Sequence, residues 1–293
     1  MKTFANYHPL TIFMFFITTI VLTMITYNPI ILGLSFVSSI IYSLYINKAK
    51  VFFANISFYL FTFILIIVAN PLFSHNGKTI LFFLNDNPIT KEAIIYGVSI
   101  GTLFIAIMYW FSVFNQIMES DKTIFLFQRI IPTLGLIISM GLKFVPNFIK
   151  KRREIKNTQK TLGLYSKKGL VENIKNSIKV FLALLTWAID SSLDTSLSMK
   201  ARGYGKGKRS NYSLYKFRIN DLIVILINIL IIGLFIYMYV NKKLDFYYYP
   251  MISKINFDVY LIVFSSLLFI YMLLPVLYEI KEKIKWHYLK SKI

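Results

Sequence analysis

Cysteine is absent from the 293 residues, so no disulfide, thiol nucleophile or thiolate metal site can form. Acids are scarce: 13 Asp and Glu stand against 33 Lys and Arg, a formal net charge of +20. The three histidines, His8, His75 and His287, lie far apart, and none has another histidine or a carboxylate at ligand spacing. An interfacial position suits each of them better than a metal role. Asp and Glu are also missing from the interiors of the long apolar runs, where Asp221 and Asp258 stand only at the starts. Ion-coupled carriers ordinarily need ionisable groups inside the membrane, so secondary transport is disfavoured. A phosphate loop is missing too. Gly205-Lys206-Gly207-Lys208-Arg209-Ser210 has a phosphate-friendly composition but neither the glycine spacing nor a preceding strand. No cofactor is expected in this chain.

What the chain does have is apolar residues, 56% of the total with 17% aromatic, and a mean hydropathy of +0.61. Runs near twenty residues long recur, which predicts an all-α, polytopic membrane helical bundle. The N-terminal run lacks the small-residue site of a cleaved signal peptide and reads as a first span. Spans are expected over 9–25, 30–46, 51–69 and 93–114, then over 221–240 and 258–277. Between the third and fourth, Thr79 to Leu84 is apolar but too short to cross. Asn76-Gly77 and Asn85-Asp86-Asn87-Pro88 flank it as turn signals, so an interfacial or re-entrant piece is expected. Thr90 reads as the N-cap of the fourth span, with Glu92 in its first turn. The connection Phe246 to Pro250 is rich in tyrosine, as interfacial belts are, and a basic amphipathic tail covers 279–293.

The positive charge is concentrated. Lys150 to Arg218 holds 17 Lys and Arg against four acids, too basic to sit in lipid. Three regions follow: membrane over 1–115, an interfacial segment with cytoplasmic helices over 116–218, and membrane with a basic tail over 219–293. Thr123 to Val145 is apolar yet contains Gln128, Arg129, Pro132, Gly135, Gly141 and Lys143. If it does not span, both termini, Lys48, Lys50 and the basic segment share the cytoplasmic side, which violates the positive-inside rule least. It is therefore placed along the inner interface. One helix is predicted from Pro146 to about Gln159, ending near Gly163. A second runs from about Leu170 to Arg202 and is about 45 Å long. Membrane lipid and an acidic protein are fitting partners for this surface; nucleic acid has charge in its favour but no motif.

The second basic helix closes on Ser198-Met199-Lys200-Ala201-Arg202-Gly203-Tyr204-Gly205. Gly203 and Gly205 stop it, and Arg202 is presented at a C-terminus, where the helix dipole favours a cation. Ala201 and Gly203 have almost no side chain, so a partner can come close to the guanidinium. The plainer reading is a basic loop that only satisfies charge topology. Asp190 and Asp194, at i and i+4, read as solvated acids on a basic helix. The whole is a membrane body with a projecting helical device and no energy source of its own.

At these residues the sequence resembles the transmembrane T component of energy-coupling factor (ECF) transporters. Met199-Lys200-Ala201-Arg202-Gly203-Tyr204 looks like the family's second Ala-Arg-Gly motif. Thr158-Gln159-Lys160-Thr161-Leu162-Gly163 aligns with the first, with Leu162 where the family usually has arginine. Leu142-Lys143-Phe144-Val145-Pro146 looks like the element before the first coupling helix, and Tyr7-His8-Pro9-Leu10 like the family's usual start. The resemblance implies long coupling helices whose tips dock on two ABC ATPase subunits, which bind the ATP. It also implies a separate substrate-binding S component and vitamin or micronutrient uptake, with no catalysis in this chain. Ala201, Arg202, Gly203, Gln159, Lys160, Leu162 and Gly163 are then the ATPase-docking residues. A second span after the coupling helices departs from shorter members. A conventional ABC permease is the alternative, and a membrane-bound lipid-modifying enzyme, which lacks an acid or histidine constellation here, is a third reading.

Overall fold

The computed structural model describes residues 4–47, 49–84, 87–163, 169–207, 215–254 and 258–290. Among them are nine α-helices: α1 (Pro9–Ile25), α2 (Pro29–Ile46), α3 (Ala49–Phe73), α4 (Lys91–Ile117), α5 (Ser120–Ile130), α6 (Pro132–Thr161), α7 (Leu170–Ala201), α8 (Ile219–Val240) and α9 (Val259–Lys290). One antiparallel ribbon, β1 (Ile80–Leu84) with β2 (Asn87–Thr90), stands between α3 and α4. The expected all-α membrane bundle is what these residues form. Contacts divide the chain into a first unit, Met1–Thr123 with Tyr215–Ile293, and a second, Ile124–Leu214.

Among the described residues six helices are long and apolar enough to cross a membrane: α2, the Ile56–Phe73 part of α3, α4, α7, α8 and α9. Six spans were expected, but the membership differs. α1 has the expected bounds and is apolar, yet its 17 residues reach only the lower end of a spanning length. α7 qualifies on average composition because Val180 to Leu197 carries only Asp190 and Asp194 as charges.

The first unit is built round α1, α2 and α4. Phe15 and Phe16 of α1 pack against Trp110 of α4, and Tyr42 of α2 closes the same aromatic core with Tyr271 of α9. Polar ties run through it, as membrane bundles use them for close approach. Trp110 Nε1 donates to Ser35 Oγ at 3.2 Å, and Ser35 shares a 2.7 Å hydrogen bond with Thr23. α3 rides on α4 through Gly101, where a Cβ would stand 2.7 Å from Phe63 Cδ2. Only glycine allows that helix so close.

Buried Asp221 joins the starts of α1 and α8. It accepts from the His8 backbone N–H at 2.8 Å, the Thr11 hydroxyl at 3.2 Å and the Arg218 backbone N–H at 2.9 Å. One turn pair further, Thr18 donates to Asn228 at 2.8 Å. α1 and α8 are thus parallel neighbours. Phe13 and Phe16 meet Phe114 near the end of α4, Tyr7 stacks edge-on to Tyr278 late in α9, and Gln116 bonds Asn47 at the end of α2. The chain therefore leaves this unit after α4 and re-enters at α8 at one and the same end, the end of its N-terminus. Lys122 marks the exit: it is buried, donates to Ile117 O at 2.7 Å, and desolvation pushes its amine below the usual lysine range. His8, expected at an interface, is buried here as the N-cap of α1.

Other differences follow from continuity. Pro146 lies inside α6 rather than at a helix start, so the apolar stretch from Pro132 and the basic stretch to Thr161 are one helix. Proline costs one backbone hydrogen bond but does not always end a helix. α9 likewise runs unbroken through Pro275 into the basic tail. The apolar hexamer is strand, paired to the residues that lead into α4.

Candidate functional site

The second unit is a helical hairpin of α6 and α7. Phe148 of α6 meets Trp187 of α7 edge-on at 5.6 Å, and Arg152 and Lys156 face Ser177, Val180, Phe181 and Leu184 across a shallow cavity of about 120 Å³. Rising α6 numbers against falling α7 numbers make the pair antiparallel. From the Phe148–Trp187 contact, Leu162 is 14 residues on and Arg202 is 15, so each tip is about 21–23 Å of helix away, in opposite directions. Asn176 and Val180 are buried where α7 passes under α6.

Both tips end the same way. Arg202 caps α7 at φ −79, ψ 8, its N–H turned to Ser198 O, and Gly203 follows at φ +80. Gly203 N donates to Lys200 O and Tyr204 N to Met199 O, both at 3.0 Å, which is the double closure of a left-handed glycine cap. Leu162 caps α6 at φ −79, ψ 7, with Gly163 at φ +75 donating to Lys160 O at 3.0 Å. The underlying pattern is Ser or Thr, any residue, Lys, two residues, then Gly: Thr158-Gln159-Lys160-Thr161-Leu162-Gly163 and Ser198-Met199-Lys200-Ala201-Arg202-Gly203. The shared spacing was the available signal, and it makes Leu162 the positional twin of Arg202.

The side chains differ in what they offer. Lys160, Ala201 and Arg202 are exposed, and Leu162 exposes 73% of its surface. Lys160 and Lys200 sit in last turns, where the dipole favours them. Gln159, expected to offer a polar contact to a partner, is half-buried, its Oε1 enclosed without a hydrogen-bond partner. Asp190 and Asp194 are solvent-exposed, as the basic helix suggested. Ile174, Ile178, Phe181, Leu185, Ile189, Leu193 and Leu197 form an exposed apolar row along α7 at three- and four-residue steps. Its periodicity was legible; that it stays uncovered in the single chain was not. Among the described residues no group of three His, Cys, Asp or Glu could hold a metal.

Set beside known proteins, residues 5–213 match the model of the CbiQ family, described as "Cobalt transport protein". The matched stretch takes in both tips and stops before α8. The energy-coupling factor transporter transmembrane protein EcfT of Streptococcus equi subsp. equi (strain 4047) is 25% identical over 216 residues, covering 70% of this chain and 77% of that one. EcfT of Lactococcus lactis subsp. cremoris (strain MG1363) is 26% identical over 179 residues, with 57% and 67% covered. EcfT of Lactobacillus helveticus (strain DPC 4571) is 29% identical over 115 residues, with 39% and 42% covered.

Proposed function

The chain belongs to the CbiQ family and is a multi-pass membrane T component of the energy-coupling factor kind, and from that premise we propose that it transmits the motion of two ABC ATPase subunits to a substrate-binding S component for micronutrient uptake. The observation that carries this reading is the pair of exposed, glycine-closed ends of α6 and α7, facing opposite ways along one hairpin. Two like tips call for two like grooves. ATP is bound by the partners, and this chain contributes no catalytic group.

Each tip has its own chemistry in the proposed dock. The Arg202 fork can engage a carboxylate through two parallel hydrogen bonds, and Ala201 and Gly203 leave room for a groove to close round it. Leu162 enters its groove by apolar burial, with Lys160 beside it. When ATP draws the two ATPases together, the tips move with them. Helices held at Phe148 and Trp187 turn that movement into a relative shift of the hairpin arms. The exposed apolar row of α7 is the face on which a membrane-embedded S component would rest and be tilted. Both termini and the hairpin are placed in the cytoplasm on charge.

Affinity purification of the tagged chain from its native membrane tests the assembly. Two ATPase chains and one small hydrophobic protein are the expected companions. ATPases without that fourth protein would favour a conventional permease, and neither would refute coupling.

A further inference from the structure

The β1–β2 ribbon has a pattern that coupling does not use. Ile80, Leu81, Phe82 and Phe83 follow one another on β1, each between 51% and 65% exposed. Phe82 pairs with Ile89 and Phe83 with Pro88, and the register irregularity falls before them, between Ile80 and Phe82. Successive strand residues point to opposite faces, so these two put an aromatic ring on each side of the ribbon. A ribbon docked on a protein would be apolar on one face and polar on the other. Here β1 exposes apolar side chains toward both faces, while Ile89, opposite Phe82, is buried at the root of the ribbon.

Its base is held firmly. Thr79 donates from its hydroxyl, at 2.7 Å, and from its backbone N–H to the carboxylate of buried Glu92, and Lys91 N donates to Thr79 O at 2.9 Å. Thr90, the N-cap of α4, also donates its hydroxyl to Asn76 O at 3.0 Å. The ribbon therefore projects from a fixed root. That root lies at the tyrosine-rich end of the first unit: Ser74 bonds Tyr249 Oη at 3.3 Å, Tyr96 packs on Tyr248 and Tyr249, and Tyr248 donates to Tyr27 O at 3.0 Å. Tyrosines collect where a membrane meets water.

We propose that the β1–β2 ribbon lies in the membrane interface at this end, the exposed β1 side chains on its two faces covered by lipid at the boundary of headgroups and acyl chains. Lipid is the occupant that can cover two faces at once, and the adjoining tyrosine belt puts it at that depth. The outer strand edges keep unpaired backbone groups, which do not enter hydrocarbon, so the ribbon stays shallow. Asn85 and Asp86, polar residues between the two strands in sequence, lie outside the described residues. The ribbon thus works as an anchor, independent of the ATPase partners.

The absence of cysteine makes the test direct. Phe82→Cys and Phe83→Cys would each be labelled with an environment-sensitive fluorophore in the full chain, in phosphatidylcholine–phosphatidylglycerol vesicles. Nitroxide lipids labelled near the headgroup or near the chain end report depth, and Asn76→Cys at the polar root is the reference. Blue-shifted emission at both strand sites is expected, with shallow-nitroxide quenching several-fold above the reference and above that by the deep nitroxide. Emission as in water at either site, or protection that arises only when a substrate-binding partner is added, would overturn the proposal. Should a labelled variant lose its fold by thermal unfolding, Leu81→Cys, equally exposed, is read against the same two outcomes.

Discussion

Arg202 and Leu162 occupy one geometry with two chemistries, so they offer a matched pair of variants. Removing one partner of a desolvated, hydrogen-bonded charge pair costs about 2–5 kcal/mol, whereas fully burying a leucine is worth about 1.5–3 kcal/mol. Arg202→Ala is expected to weaken ATPase pull-down and uptake more than Leu162→Ala, and Arg202→Glu more still, since it puts an acid toward the proposed acidic groove. Loss of assembly in Leu162→Ala with Arg202→Ala intact would mean that packing, not charge, holds the docks. Asp221 belongs to stability rather than docking. Asp221→Ala strands the His8 and Arg218 backbone donors and the Thr11 hydroxyl, and about 3 kcal/mol or more should be lost. Thermal unfolding in detergent would read that loss while the tips stay intact. The two kinds of residue were not equally legible. Arg202 was visible because its glycine and its helix stand beside it in sequence. Asp221 read only as a polar span start, because its partners His8 and Thr11 are more than two hundred positions away. Gln159 was named by the motif, while the enclosure of its Oε1 without a hydrogen-bond partner is visible only in the structure.

At the level of elements, helix ends were legible and helix continuity was not. Leu170 to Ala201 follows from apolar residues at steps of three and four and the glycine beyond. Pro146 looked like a helix start, yet it lies inside α6, where the helix continues through an exposed stretch on both sides. The ribbon's turn residues were visible, but six apolar residues in a row show no alternation, so strand pairing could not be read from them. Two helix pairs give element-scale predictions. Gly101→Leu should push α3 off α4 and cost about 1–3 kcal/mol, with partial recovery in a Gly101→Leu, Phe63→Ala double variant measured by thermal unfolding. Trp187→Ala removes the Phe148 edge contact between the arms of the hairpin. It should leave ATPase pull-down near normal and reduce uptake per assembled complex several-fold. Uptake that scales only with assembly would show that the contact does not carry motion.

For the whole molecule, the return of the chain to one end of the first unit sets an even number of crossings between α4 and α8, and charge chooses the side. Single cysteines at Asn76 and Lys254 should react with an impermeant reagent from outside intact cells, and those at Gln116 and Lys206 should not. Outside labelling of Lys206 would reverse the assignment. In the proposed function this chain conveys energy it does not itself release. Reconstitution in vesicles tests it most directly, comparing uptake by the chain alone, with its co-purified ATPases and S component, and with the same set carrying Arg202→Ala. No ATP hydrolysis and no uptake by the chain alone are expected, with ATP-dependent uptake by the full set and a drop of at least several-fold with Arg202→Ala. Uptake by the chain alone under a proton gradient, without ATPases, would contradict it.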